Sequence, residues 1–263
     1  MNILDAIVEH KTVELLKRKK KRPLSYLFSM PEYGRDTNKI DSTTNYKPPG
    51  IIAEFKRKSP SRGTINMGWD PVQVADGYEN AGVTAMSILT DRDYFGGSLR
   101  DLQLVRRAKP DLPLLRKDFI IDPYQIHEAS AYGADIVLLI ASILSKSEIS
   151  DLAVEAGLLG LQVLFEIHDQ TELEKYHESI GMVGVNNRNL QTFQVSIKNS
   201  LDLKDHLPAN VIPVAESGLK GKGEIEMLQK AGYQLFLIGE TFMKQADPGM
   251  ACKTFIQSLY SDA

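Results

Sequence analysis

The chain has 263 residues, 25% of them charged, a formal charge of −3 and one cysteine, Cys252. The near-balanced charge gives no global electrostatic case for nucleic acid or an anionic membrane, and a single cysteine rules out an intrachain disulfide. No apolar run is long enough to span a bilayer and no signal-like core opens the chain, so the expectation is a cytoplasmic protein with no membrane partner.

The first element predicted is an amphipathic helix. Ile3, Ile7, Val13 and Leu16 recur near helical spacing, and the six basic residues from Lys17 to Arg22 follow as its C-terminal end, where cations complement the helix dipole. Pro23 stops it. A nucleic-acid role has only that basic run in its favour. Residues from Pro31 to Pro49 are polar and proline-flanked, and read as an irregular connector.

Short apolar runs then appear in order: GIIAEF, TAMSILT, LPLLRKD, ADIVLLI, LQVLFEI, GMVGVNN, NVIPVAES and YQLFLIG. Segments of helical period lie between them, several ending in glycine, as in ENAGV, AYGAD, VEAGLLG and QKAGY. Eight strand–helix units without a Gly-rich nucleotide turn predict a closed (β/α)8 TIM barrel, an α/β fold, with an N-terminal helical extension. The expected division is 1–48 for the extension, packed on the barrel, and 49–263 for the barrel, within one domain overall. Such a barrel carries its active site at the C-terminal strand ends.

Polar residues collect at those ends. They are Glu54 and Lys56 on the first strand, Lys117 on the third, Glu166 on the fifth, and Asn186 with Arg188 on the sixth. Glu216, Ser217 and Gly218 follow on the seventh, and Gly239 with Glu240 on the eighth. Strand side chains alternate, so Glu54 and Lys56 share a face with each other, as do Leu115 and Lys117, Leu164 and Glu166, and Gly184 and Asn186. That face is the barrel interior if Phe55 packs on a helix. A lone charged residue at a strand end is more often solvated than functional. A converging set is different, because buried charges persist only when paired or used. Lysines beside glutamates supply what general acid–base chemistry requires.

A second constellation suits an anion. Ser59, Ser61 and Arg62 follow the first strand, Ser217 and Gly218 the seventh, and Gly239 the eighth, where these barrels commonly hold phosphate. Metal is not expected: the five histidines are scattered without ligand spacing, and only His168 lies near a strand end. Cys252 sits in the last amphipathic segment and no nucleophile elbow occurs. Trp69 is expected to pack where the first barrel helix begins.

IIAEFKRKSPSRG, LRKDFIIDPYQIHEA, FEIHD, NNRNL, AESG and LIGE, in this order along essentially the whole chain, resemble the indole-3-glycerol phosphate synthase family. The opening ILDAIVEHK is similar to that family's N-terminal extension. The resemblance implies a decarboxylating lyase of tryptophan biosynthesis. Its substrate would be 1-(2-carboxyphenylamino)-1-deoxyribulose 5-phosphate, a small phosphorylated molecule, with no cofactor and no metal. By resemblance Lys117 is the general acid of ring closure, Glu166 the acid–base partner in dehydration, and Lys56 the cation for the substrate carboxylate. Glu54, Asn186 and Glu216 complete the catalytic floor. Ser59, Arg188, Ser217, Gly218, Leu237 and Gly239 bind the phosphate or substrate, and Phe119 and Leu139 wall the anthranilate ring. The family varies after the eighth-strand glycine, so Glu240 carries least. The chain is expected to be monofunctional and a monomer or weak homodimer, with Arg57–Gly68 as a lid.

Two other readings fit less well. A phosphoribosylanthranilate isomerase uses one acid and one base, which leaves the paired Lys56 and Lys117 surplus. A non-catalytic phospholigand binder has no use for the acid–base set.

Overall fold

A computed structural model describes residues 3–41, 49–189 and 192–261. Eight parallel strands form a closed barrel: β1 (Gly50–Phe55), β2 (Ala85–Leu89), β3 (Leu114–Lys117), β4 (Ile136–Ile140), β5 (Gln162–Ile167), β6 (Met182–Asn186), β7 (Ile212–Glu216) and β8 (Leu235–Ile238). Each lies within one of the eight apolar runs. Pairing of Gly50 with Leu235 through Ala53 with Ile238 closes the ring.

Alternation along each strand separates two apolar layers. Ile52, Leu115, Leu138, Leu164, Val214 and Leu235 fill the barrel. Their neighbours in sequence, among them Ala53, Val137, Phe165 and Phe236, face outward beneath the helices, as does Phe55. Burial of branched side chains on both faces explains why these strands read as continuous apolar runs.

The helices are α1 (Ile3–Lys21) and α2 (Leu24–Phe28) before the barrel, then α3 (Pro71–Ala81), α4 (Leu99–Ala108), α5 (Pro123–Ala131), α6 (Lys146–Leu158), α7 (Lys198–Leu203), α8 (Lys222–Lys230), α9 (Glu240–Met243) and α10 (Pro248–Tyr260). Asp70 caps α3 by accepting from the Val72 and Gln73 N–H groups, and left-handed Gly82 ends it. Trp69 packs against the outer core there. In VEAGLLG the left-handed stop is Gly160, while Gly157 lies inside α6. The connection after β5 departs from the pattern. It holds only a 3-10 helix, Thr171–Lys175, whose start is set by Asp169 accepting from the Thr171 and Glu172 N–H groups.

The α1 face is not the one expected. Ile7, Lys11 and Leu15 are buried, whereas Val13 and Leu16 are 49% and 60% exposed. A lysine takes the middle of the stripe because three carboxylates meet its Nζ: Asp91 at 2.8 Å, Glu14 at 2.9 Å and Asp118 at 3.1 Å. The basic run clamps the helix to the barrel. Arg18 reaches Glu128 at 3.1 Å, Lys19 reaches Asp122 at 2.6 Å, and Arg22 donates to the Tyr132 hydroxyl.

The segment then descends the barrel. Thr37 Oγ1 donates to the Gly160 carbonyl, Asn38 N–H to Asp135, and Ile40 exchanges two hydrogen bonds with the Gln162 amide at the start of β5. Ile40 joins the interior core from below. The part of the predicted connector at 42–48, with the expected division at 48/49, lies outside the described residues.

Candidate active site

Above the interior apolar layer the inward positions turn polar. Glu54 stands two residues above Ile52, Lys117 above Leu115, Glu166 above Leu164 and Glu216 above Val214, as strand parity requires. The Lys117 ammonium lies 2.9 Å from Glu166 Oε2 and 3.7 Å from Glu216 Oε2. The Lys56 Nζ donates to Glu54 Oε1 at 2.7 Å. Asn186 Nδ2 donates to Glu166 Oε1 at 3.2 Å, and its own carbonyl accepts the Arg188 N–H.

Two glycines make room for this cluster. A Cβ on Gly184 would lie 2.2 Å from Glu216 Oε1, and one on Gly239 would lie 2.5 Å from Glu54 Oε1. The absence of side chains there lets both carboxylates lean across the mouth.

Charge is unevenly distributed between Glu166 and Glu216. Burial alone would raise the Glu166 carboxyl, but the Lys117 ammonium, the His168 ring and the Asn186 hydrogen bond outweigh it and bring it to about 2. Burial pushes Glu216 well above the ordinary carboxylate range, and the adjacent Glu166 charge adds to this. Burial would lower the Lys117 ammonium, yet the Glu166, Glu216 and Glu54 carboxylates reverse that and raise it. The surroundings therefore favour an ammonium on Lys117, the ionised form of Glu166 and the protonated form of Glu216, side by side. That is a proton donor and an acceptor in one cluster.

The cluster is the floor of a cavity of about 710 Å³. At its far side Ser217 and Gly218 have φ of 68° and 78°, a left-handed turn after β7. Ser59, in a two-rung hairpin of Lys58–Ser59 with Gly63–Thr64, and Gly239, which caps α9, line the same end. Glu240 faces Arg62 at 3.1 Å and Arg188 at 3.8 Å. Apart from Leu139, every residue expected at the site lines this one cavity.

Leu139 is the correction. It is fully buried in the outward layer, beneath the helices. Leu138 and Ile140 line the cavity instead, because inward positions on β4 run Ile136, Leu138, Ile140. Also missed were Phe95, which meets Phe119 with ring centroids 6.0 Å apart, and Ile3, Leu4 and Ile7 of α1, which line the mouth. Phe95 follows β2 directly before a glycine pair, a signal available in the sequence. Helical periodicity alone could not say which end of the barrel α1 would cover.

Residues 4–255 match the model of the family described as indole-3-glycerol phosphate synthase. The chain belongs to the indole-3-glycerol phosphate synthase family. It is 47% identical over 212 residues to a protein of that name from Bacteroides thetaiotaomicron, covering 80% of each chain. It is 48% identical over 200 residues to another from Neisseria meningitidis, covering 76% of each. Solved structures at lower identity share the fold. The chain superposes on a 3-hexulose-6-phosphate synthase with a TM-score of 0.65 at 17% identity, over 80% of this chain and 99% of that one. A KGPDC from Streptococcus mutans gives 0.63 at 12% identity, over 81% and 98%. Family membership makes the chain a decarboxylating lyase of tryptophan biosynthesis. Among the described residues no helix is long and apolar enough to cross a membrane, and no group of three or more His, Cys, Asp or Glu is placed to hold a metal.

Proposed function

We propose that this chain closes 1-(2-carboxyphenylamino)-1-deoxyribulose 5-phosphate to indole-3-glycerol phosphate, releasing CO2 and water, with the cluster described above as its catalytic floor. The observation that carries this reading is Lys117, set 2.9 Å from Glu166 and 3.7 Å from Glu216, one acid lowered and the other raised, at the base of a cavity whose other end is a left-handed Ser–Gly turn. The phosphate lies against Ser59, Ser217, Gly218 and Gly239, where N–H and O–H donors meet an anion, with Leu237 beside it and Arg188 above. The substrate carboxylate meets Lys56, and the anthranilate ring rests on Phe119 and Leu138.

Lys117 donates its proton to the carbonyl oxygen as the ring carbon attacks, because negative charge develops there and an ammonium is already in place. Expulsion of CO2 restores the aromatic ring. Glu166 then accepts and returns protons during loss of water, with Lys56 as the neighbouring donor and Glu54, Asn186 and Glu216 holding both in position. A substrate that enters as a carboxylate takes up one proton overall, so a floor that stores protons suits the reaction.

The extension and barrel act as one domain, since α1 supplies part of the cavity wall. Arg57–Gly68 closes over the phosphate end, which unchanged proteolytic sensitivity with and without substrate would contradict. We place the protein in the cytoplasm as a monomer or weak homodimer, to be checked by sedimentation. Incubation with the substrate should generate indole fluorescence. No product from folded protein would remove the reading.

A further inference from the structure

His168 is used by none of the steps above, yet it stands closer to the catalytic floor than a spectator should. It is two residues beyond Glu166, so strand parity turns it to the same side. Its Nε2 lies 3.5 Å from Glu166 Oε1, and its Nδ1 lies 3.5 Å from Glu172 Oε2. Both ring nitrogens are buried and neither has a hydrogen-bond partner. An imidazole left in that condition is costly unless its charge is used, because buried polar atoms are normally satisfied.

The surroundings favour the charged ring. Glu172, on the 3-10 helix after β5, is itself fixed by accepting the His168 backbone N–H at 2.6 Å. Asn199 on α7 donates to the His168 carbonyl at 3.1 Å, which pins the backbone from a second element. Across the barrel, Lys117 on β3 opposes the charge while Glu166 and Glu172 support it. Burial would lower the imidazolium, and the two carboxylates outweigh burial and Lys117 together, so the ring titrates above its ordinary value.

We propose that His168, held by Glu172, is a positioning residue that keeps Glu166 the ionised member of the Glu166–Glu216 pair. This rests on the reading of Glu166 as the acid–base partner in dehydration. In the free protein Lys117 already holds Glu166 Oε2. When Lys117 turns to the substrate carbonyl, that ammonium is withdrawn. His168 is then the cation left at the other oxygen, Oε1, beside the Asn186 amide. Without it, Glu166 has little to distinguish it from Glu216, which burial pushes toward its protonated form. The proton between them then redistributes, and the acceptor is lost when it is needed.

The test is the pH dependence of kcat, which reports the substrate complex, for the full chain and for His168→Gln and Glu172→Gln. His168→Gln keeps a side-chain donor but removes the charge. Its kcat relative to the parent should fall further as pH drops from 8 to 5.5, by about threefold or more across that range, with KM within about twofold. Glu172→Gln should shift kcat the same way by less. A loss of kcat that is equal at every pH, with either variant, would overturn the proposal and leave His168 a packing residue. If His168→Gln does not fold, Glu172→Gln decides by the same criterion. Absence of product from the parent would instead count against the assigned reaction, so the two failures are distinct.

Discussion

Lys117 and Asp118 are neighbours in sequence, yet their side chains enter two different buried charge clusters. Lys117 joins Glu166, Glu216 and Glu54 at the cavity floor. Asp118 joins Lys11, Arg116, Thr90 and, through Arg116, Glu128 and Arg18, between the barrel and α1. In the second cluster Lys11, Arg116, Asp118 and Glu128 are fully or almost fully buried, and opposite charges hold Asp118 well below the usual carboxylate range despite its burial. The first cluster has open space above it, and one of its acids, Glu216, is pushed well above the ordinary carboxylate range by burial and the Glu166 charge. The contrast separates a closed cluster that holds two elements together from one that opens on a cavity and keeps an acid of raised pKa for chemistry. Both are built from the same residue types.

Mutations should therefore act in opposite currencies in the two clusters. The largest effect is expected from Lys117→Met, which should lower kcat by about 10²–10⁴-fold with modest loss of substrate binding. Near-normal turnover in the fluorescence assay would remove its role. Lys11→Met should act on the fold instead. It strands the Asp91, Asp118 and Glu14 carboxylates and should cost about 3–5 kcal/mol in urea unfolding. An unchanged midpoint would show that the cluster does not hold α1.

Glu216→Gln should slow turnover while raising thermal stability. Glu216 has a raised folded pKa, so its favourable contribution is complete below the ordinary glutamate range and is lost as pH rises from that range through the raised value. A neutral isostere removes that loss, and a lower melting temperature at pH 7 would contradict the assignment. Glu166 has the opposite sign: its contribution is complete above the ordinary range and fades as pH falls toward about 2. The smallest effect belongs to the exposed end of α1. Changing Lys19, Lys20 and Lys21 together to Gln should leave kcat near normal, since the Lys19–Asp122 surface pair contributes less than about 1 kcal/mol.

The legible and illegible parts of the sequence divide along the same physical line. The barrel strands and their inward polar ends could be read because period-two alternation links apolar floor to polar mouth within a single strand. Leu115 below Lys117 and Leu164 below Glu166 are examples. Lys11 could not be read, because a lysine on a helix counts as solvent-facing until its three carboxylates, two of them some eighty or more residues away, are brought to it. For the same reason the apolar Val13 and Leu16 stand out as core candidates in the sequence. Leu139 was misplaced within a strand whose two faces are both apolar, where composition distinguishes neither side. His168 gave a position but no partner, since Glu172 reaches it only because the chain after β5 tightens into a 3-10 turn.

Residues 3–41 leave the ribosome before any surface they dock on exists. Ile7 waits for the barrel mouth, Lys11 for Asp118, Arg18 for Glu128, and Ile40 for Gln162 in the fifth strand. Each contact spans about a hundred residues of chain, a separation that delays closure. A segment made before the barrel is thus bound to be late in assembly. Until it docks, the nascent barrel keeps a bare apolar mouth that other chains or chaperones can reach.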